Sequence, residues 1–182
     1  MGRFQNDQID AAQRRPAETG LSLSDGLRIV LVHPRIPQNT GSVARLCAAT
    51  GSRLDLIAPL FAIDDAKLRR AGLDYWPLLD VKVYASVDEW REQNASTKPW
   101  FVELGAAKAY TEAKFEVADT LVFGDEQAGV PQSWLREFPE RHISIPQRGV
   151  RSMNLAMCAG IVSFEALRQL EFRGLQLGPR TS

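Results

Sequence analysis

HISIPQRGVRSMNLAMCAGIVSFEALRQL, residues 142–170, is the stretch on which the reading of this chain turns. Its start, His142 to Ile145, reads as a short strand stopped by Pro146, which has no N–H to give to a ladder. A polar, basic loop, Gln147 to Arg151, leads into a helix predicted over Ser152 to Leu170. Within that helix Leu155 to Val162 runs Leu, Ala, Met, Cys, Ala, Gly, Ile, Val. An apolar run that covers every side of a helix cannot lie on a surface, so it is enclosed by its own domain or by a second copy of the chain. Ala156, Ala159 and Gly160 are small enough for another backbone to come close. The loop and Ser152-Met153-Asn154 are thereby held at the mouth of tightly packed structure, where chemistry is to be sought.

Working outward, Leu27 to His33 is a β-branched run that reads as a buried strand. Pro34 to Gly41 is a turn-rich loop, followed by a helix to about Thr50 that Gly51 stops. Val43, Leu46, Cys47 and Thr50 mark its packed face and Arg45 projects from the opposite side. Further strands are expected at Arg53–Pro59, Val81–Tyr84, Trp100–Leu104 and Thr120–Phe123. Helices are expected at Asp64–Ala71, after the Ser86/Glu89 capping box, and near Pro131–Glu137. Strands alternating with helices predict an α/β domain with a mostly parallel sheet flanked by helices. The polar, aperiodic stretch 1–26 is expected to be a flexible extension, 27–172 the folded domain and 173–182 a tail.

Composition narrows the function. Of 182 residues 45% are hydrophobic, enough for a substantial core, and 22 Lys+Arg balance 22 Asp+Glu, which excludes a uniformly basic nucleic-acid coat. Two Cys and two His, placed singly, give no metal-ligand spacing, and both Cys sit in apolar helical patterns as small hydrophobes in a reducing compartment. No apolar run is long enough to span a bilayer. A cytoplasmic protein with no metal and no membrane attachment is expected.

Ligands of such sheets lie beyond the carboxyl ends of the strands. Those ends carry Asn39-Thr-Gly41, Leu104-Gly105, Gly124 to Gly129, and Ile145-Pro146 with Ser152. The loop after the first strand lacks the glycine fingerprint of a dinucleotide fold. Gly124 to Gly129 has the spacing of a phosphate loop, but Asp125 and Glu126 would repel phosphate, so an uncharged or cationic nucleoside, such as one bearing a sulfonium, fits better. Arg35, Arg45, Arg148 and Arg151 lie in or beside the same loops. Their planar, permanently charged forks suit an RNA backbone, although any one of them alone reads as part of a solvated face.

Three motifs in order, Asn39-Thr-Gly-x-x-x-Arg45, Phe123-Gly-Asp-Glu-x-x-Gly-Val130, and Ile143-Ser-Ile-Pro146 with Ser152-Met-Asn-Leu155, resemble those of the SPOUT-class RNA 2'-O-methyltransferases. With Lys67-Leu-Arg-Arg-Ala-Gly-Leu-Asp-Tyr75 and no added RNA-binding domain, the chain is most similar to the branch acting on the wobble pyrimidine, position 34, of tRNA. The resemblance covers about Leu27 to Leu170. It implies a SPOUT fold with a C-terminal trefoil knot that holds S-adenosylmethionine, a homodimer, and tRNA as substrate. It places cofactor contacts on Leu104, Gly124, Ile145 and Ser152, although Gly105-Ala-Ala-Lys108 departs from the family's Thr-rich pattern. RNA contacts are expected from Asn39, Arg35, Arg148 and Arg151, and catalytic roles from Arg45 and Asn154. Methylation of another tRNA or ribosomal RNA position, or a catalytically silent RNA-binding protein of this fold, are the rival readings.

A guanidinium is hardly ever deprotonated, so Arg45 is expected to orient the hydroxyl and stabilise developing charge rather than act as base. Asn39 either caps the first helix or touches substrate. Ser152 caps the last helix, contacts cofactor, or both. Asn154 fixes Arg45 or the ribose, or makes a structural hydrogen bond. Glu126 serves a cationic cofactor or, preferably, pairs with a loop Arg.

Overall fold

The computed structural model describes residues 26–63, 79–149 and 152–176. Six strands form one sheet: β1 (Arg28–Val32), β2 (Arg53–Ile57), β3 (Val81–Tyr84), β4 (Trp100–Val102), β5 (Thr120–Phe123) and β6 (His142–Ile143). Their order across the sheet is β3-β2-β1-β5-β4-β6, and every pairing is parallel. Among the described residues four α-helices flank it: α1 (Pro37–Thr50), α2 (Val87–Gln93), α3 (Gln132–Leu135) and α4 (Leu155–Gln169).

Both faces of the sheet are buried, which is why the strands read as unbroken apolar runs rather than as alternation. Ile29, Leu31, Leu54, Leu56, Leu121, Phe123 and Ile143 pack with Val43 and Cys47 of α1 and Ala159, Val162 and Ala166 of α4. The alternate residues Val30, Val32, Ile57, Phe101 and Val122 pack with Trp90 of α2 and Trp134 of α3. One carboxylate lies among the second set: buried Asp55 accepts the Trp90 indole N–H at 2.7 Å. Burial pushes the Asp55 carboxyl up from its ordinary value, and the Trp90 bond with the Arg28 charge offsets part of that shift.

Several expected boundaries move. β1 and β2 stop at Val32 and Ile57 because His33 and Ala58 take left-handed backbone, with φ of 49° and 43°. β4 stops at Val102, two residues short of the expected end, although the Glu103 N–H still reaches the Ile143 carbonyl at 2.9 Å. β6 likewise stops at Ile143, where Ser144 turns to pair with Ala109. The last helix begins at Leu155 rather than Ser152, because the Asn154 side chain accepts the N–H groups of Ala156 and Met157 and so caps it. The helix expected at Asp64–Ala71, the Lys67–Tyr75 stretch and Arg151 lie outside the described residues, as do 1–25 and 177–182.

α4 resolves the puzzle of its all-round apolar run. Leu155, Ala159, Val162, Ser163, Ala166 and Leu167 are buried within the chain. Met157 and Phe164, seven residues apart on the opposite face, remain 58% and 48% exposed. The described residues thus enclose one side of the helix and leave the other open.

Candidate active site

At the carboxyl ends of β4, β5 and β6 lies a cleft of about 470 Å³, a size that suits a small-molecule or cofactor site. Leu104, Gly124, Ile145 and Ser152, the four residues expected to hold a cofactor, all line it, and so do Asn39 and Asn154. They come from separate loops and meet only because the parallel sheet brings the ends of β4, β5 and β6 together. Arg45 is exposed on α1 and is not part of this lining; Arg148 is exposed next to Gln147, which is.

The loop after β5 is closed on itself. Asp125 and Gly129 exchange backbone hydrogen bonds at 3.2 and 2.9 Å, and a Cβ on Gly124 would stand 2.1 Å from the Gly129 carbonyl carbon and 2.3 Å from the Val130 nitrogen. No other residue fits at 124 without moving backbone. Gly129 itself adopts φ +71°, left-handed backbone that favours glycine.

Both acids of this loop are spoken for. The Asp125 carboxylate accepts the N–H groups of Gln127 and Ala128 and the Arg35 guanidinium at 2.6 Å; although burial works against it, these partners hold its carboxyl below the usual range. Glu126 accepts the backbone N–H groups of Arg35 and Ile36, at 2.9 and 3.3 Å, and the Asn39 amide at 3.1 Å. α1 opens on Ile36 and Pro37 with no side-chain cap of its own, so Glu126, 90 residues away, supplies the anion that its N-terminus attracts. Of the two roles left open for Asn39, capping α1 is excluded, and the expected pairing of Glu126 with a loop Arg is corrected: Glu126 takes Arg35 by its backbone while Asp125 takes the guanidinium.

Asn39 also accepts the Asn154 side-chain N–H at 2.8 Å. A continuous chain of hydrogen bonds therefore joins Glu126, Asn39, Asn154 and the start of α4, tying the three sequence motifs into one unit. Asn154 makes the structural bonds, and Ser152, exposed on the cleft wall, is not the cap.

Two lining residues escaped the reading of the sequence. Glu103 follows β4 and accepts the Val130 N–H at 3.1 Å; burial pushes its carboxyl up, against the smaller effects of that bond and of the His142 charge. The signal was a lone acid at the end of the apolar run Trp100-Phe-Val102. Gln147 carries a buried side-chain oxygen with no hydrogen-bond partner among the described residues. An unpaired buried acceptor is costly, and an amine donor from a bound molecule would satisfy it. Among the described residues the charged side chains on the cleft lining are acidic: Glu103, Asp125 and Glu126.

Residues 26–164 match the SpoU rRNA Methylase family. A tRNA (cytidine(34)-2'-O)-methyltransferase from Burkholderia ambifaria is 43% identical over 152 residues, covering 80% of this chain and 97% of the relative. The protein of that name from Saccharophagus degradans is 42% identical over 149 residues, covering 80% and 97%. A solved structure described as giving structural insights into the 2-OH methylation of C/U34 on tRNA is 41% identical, with a TM-score of 0.76 over 82% of this chain and 99% of that one. The SpoU methyltransferase AviRb of Streptomyces viridochromogenes, in complex with its cofactor AdoMet, is 27% identical with a TM-score of 0.70, over 81% and 62% of the two chains.

Proposed function

The chain belongs to the SpoU rRNA methylase family, and from that premise we propose that it transfers a methyl group from S-adenosylmethionine to the ribose 2'-hydroxyl of the pyrimidine at wobble position 34 of a tRNA. The observation that carries this reading is the meeting of Leu104, Gly124, Ile145 and Ser152 in one cleft whose charged lining, among the described residues, is acidic. The residues present suit that donor. The cradle at Gly124 leaves no room for a Cβ, the orphaned Gln147 oxygen can accept from an exocyclic amine, and the acidic lining favours a cation over a phosphate.

When bound there, S-adenosylmethionine supplies an activated methyl group on a sulfonium. The protein's own task is to align that methyl with the ribose oxygen, exclude water and lower the cost of charge on the oxygen. Leu104, Gly124, Ile145 and Ser152 hold the donor. Arg45 orients the hydroxyl and stabilises negative charge as it develops there, while Asn154, fixed by Asn39, keeps the last motif at the cleft mouth. Arg35, Arg148 and Arg151 meet the RNA backbone, with Asn39 at the inner edge. Arg35 keeps 42% of its side chain exposed while paired to Asp125, leaving surface for a phosphate.

The functional unit is a homodimer in the cytoplasm. The open α4 face with Met157 and Phe164 is an apolar strip of the kind that a second copy covers, and Arg45 of one subunit serves a site completed by the other. The family's trefoil knot, with the C-terminal helix passed through a loop, belongs to the same reading.

The test is to incubate the purified protein with methyl-labelled S-adenosylmethionine and total tRNA and to map the label. Label on the 2'-oxygen of nucleotide 34 is expected. Label at another tRNA position, label on ribosomal RNA only, or donor binding without transfer would each refute the assignment.

A further inference from the structure

Among the described residues Glu103 is the acid on the cleft lining with the fewest partners, one hydrogen bond and a smaller charge effect from His142. Asp125 has the Arg35 guanidinium and two turn N–H groups, and Glu126 has the N-terminus of α1 and the Asn39 amide. Among the described residues Glu103 receives one hydrogen bond, from the Val130 N–H to Oε1. The charged or titratable groups around it are His142 of β6, Asp125 and Glu126 across the cleft, and Arg136 at the end of α3, which lines a second hollow of about 410 Å³ on the other side of Glu103 and Leu104. His142 has its Nε2 engaged with the Leu135 carbonyl at 2.9 Å, and Arg136 is exposed. A half-buried carboxylate left with a single neutral donor gains most from a cation brought to it.

We propose that Glu103 is the charge partner of the donor's sulfonium, making the cleft favour the cationic methyl donor over the neutral thioether left after transfer. This rests on the methyltransferase reading and adds a specificity-determining residue to it. Methyl transfer breaks the sulfur–methyl bond and forms the oxygen–methyl bond, the hydroxyl proton passes to solvent water, and the sulfur keeps the bonding pair and becomes neutral. The attraction to Glu103 therefore exists before transfer and vanishes after it, which loosens the product where a purely apolar pocket would hold donor and product alike. The raised carboxyl agrees, since a carboxylate held up by burial is stabilised when a cation takes the adjacent space.

Glu103→Gln tests it, because the amide oxygen can still accept the Val130 N–H. Calorimetry on the full-length protein with S-adenosylmethionine and, separately, with S-adenosylhomocysteine gives four dissociation constants. The expected result is a loss of about tenfold in affinity for the donor and of less than about twofold for the thioether product. The product constant reports that the pocket is still formed. Equal losses for both ligands would place Glu103 against the shared amino-acid portion and overturn the proposal, and so would two unchanged constants. Failure of the wild-type protein to bind either ligand would instead overturn the methyltransferase reading beneath it.

Discussion

Gly124→Ala puts a methyl group where backbone already stands. The added carbon would lie 2.1 Å from the Gly129 carbonyl carbon, 2.3 Å from the Val130 nitrogen and 2.6 Å from the Gly129 Cα, none of which can turn aside as a side chain would. The loop must open, and the first bonds to fail are the pair between Asp125 and Gly129. Overpacking costs about 1–3 kcal/mol and rigid backbone places this case near the top, so a loss of about 3 kcal/mol is expected. For a chain of this length that lowers the melting temperature by about 6–12 °C. Since the same loop forms the cleft wall, affinity for S-adenosylmethionine should fall by at least tenfold. Gly51→Ala is the control. Gly51 ends α1 in left-handed backbone with nothing within 4 Å of the added carbon, so it should cost roughly 1–2 kcal/mol and leave donor affinity unchanged. Calorimetric melting and donor titration of both variants measure this. A Gly124→Ala protein that melts within about 2 °C of wild type and binds the donor equally well would refute the argument from close approach.

Glu126→Ala should cost about 1–2 kcal/mol, the usual value of a lost helix cap, because among the described residues α1 has no side-chain cap or first-turn acid of its own; thermal melts read the loss. Arg45→Ala should lower turnover about 10²- to 10³-fold in a tRNA methylation assay while donor affinity from calorimetry stays within about twofold. Phe164→Asp should shift sedimentation toward the monomer, since it buries a charge if the open α4 face meets a second copy. Glu165 is held down to about 2, first by its hydrogen bond from Arg168, at 2.8 Å, and then by Gln169. A lowered carboxylate contributes stability that is present above its ordinary value of 4.5 and lost as pH falls through about 2, so Glu165→Gln should flatten the acid limb of a stability-versus-pH curve and leave the curve near neutrality unchanged in slope.

The boundaries that shifted and the residues that were overlooked have a common cause. Periodicity and turn chemistry are local, so the six strands, the Gly51 stop and the Ser86 cap were legible. Glu89 reaches back one residue further than a capping box requires, to the Ala85 N–H, which no local pattern distinguishes. Asn154 displaced Ser152 as the cap because its side chain accepts the N–H groups of Ala156 and Met157, which no local pattern in the sequence distinguishes. Asn39 is excluded as a cap because Pro37, lacking an N–H, already begins the helix two residues before it.

By itself the sequence determined which of the described segments are strand and helix and, through three motifs in order, which loops meet at the cleft. Tertiary structure alone decided who neutralises whom. Glu126 serves α1 across 90 residues, Arg35 answers Asp125, Asn154 reaches Asn39 across 115, and Glu103 is left facing the cleft with one neutral partner. Secondary structure follows from interactions a few residues apart, whereas charge compensation depends on distances in space that only the packed parallel sheet creates.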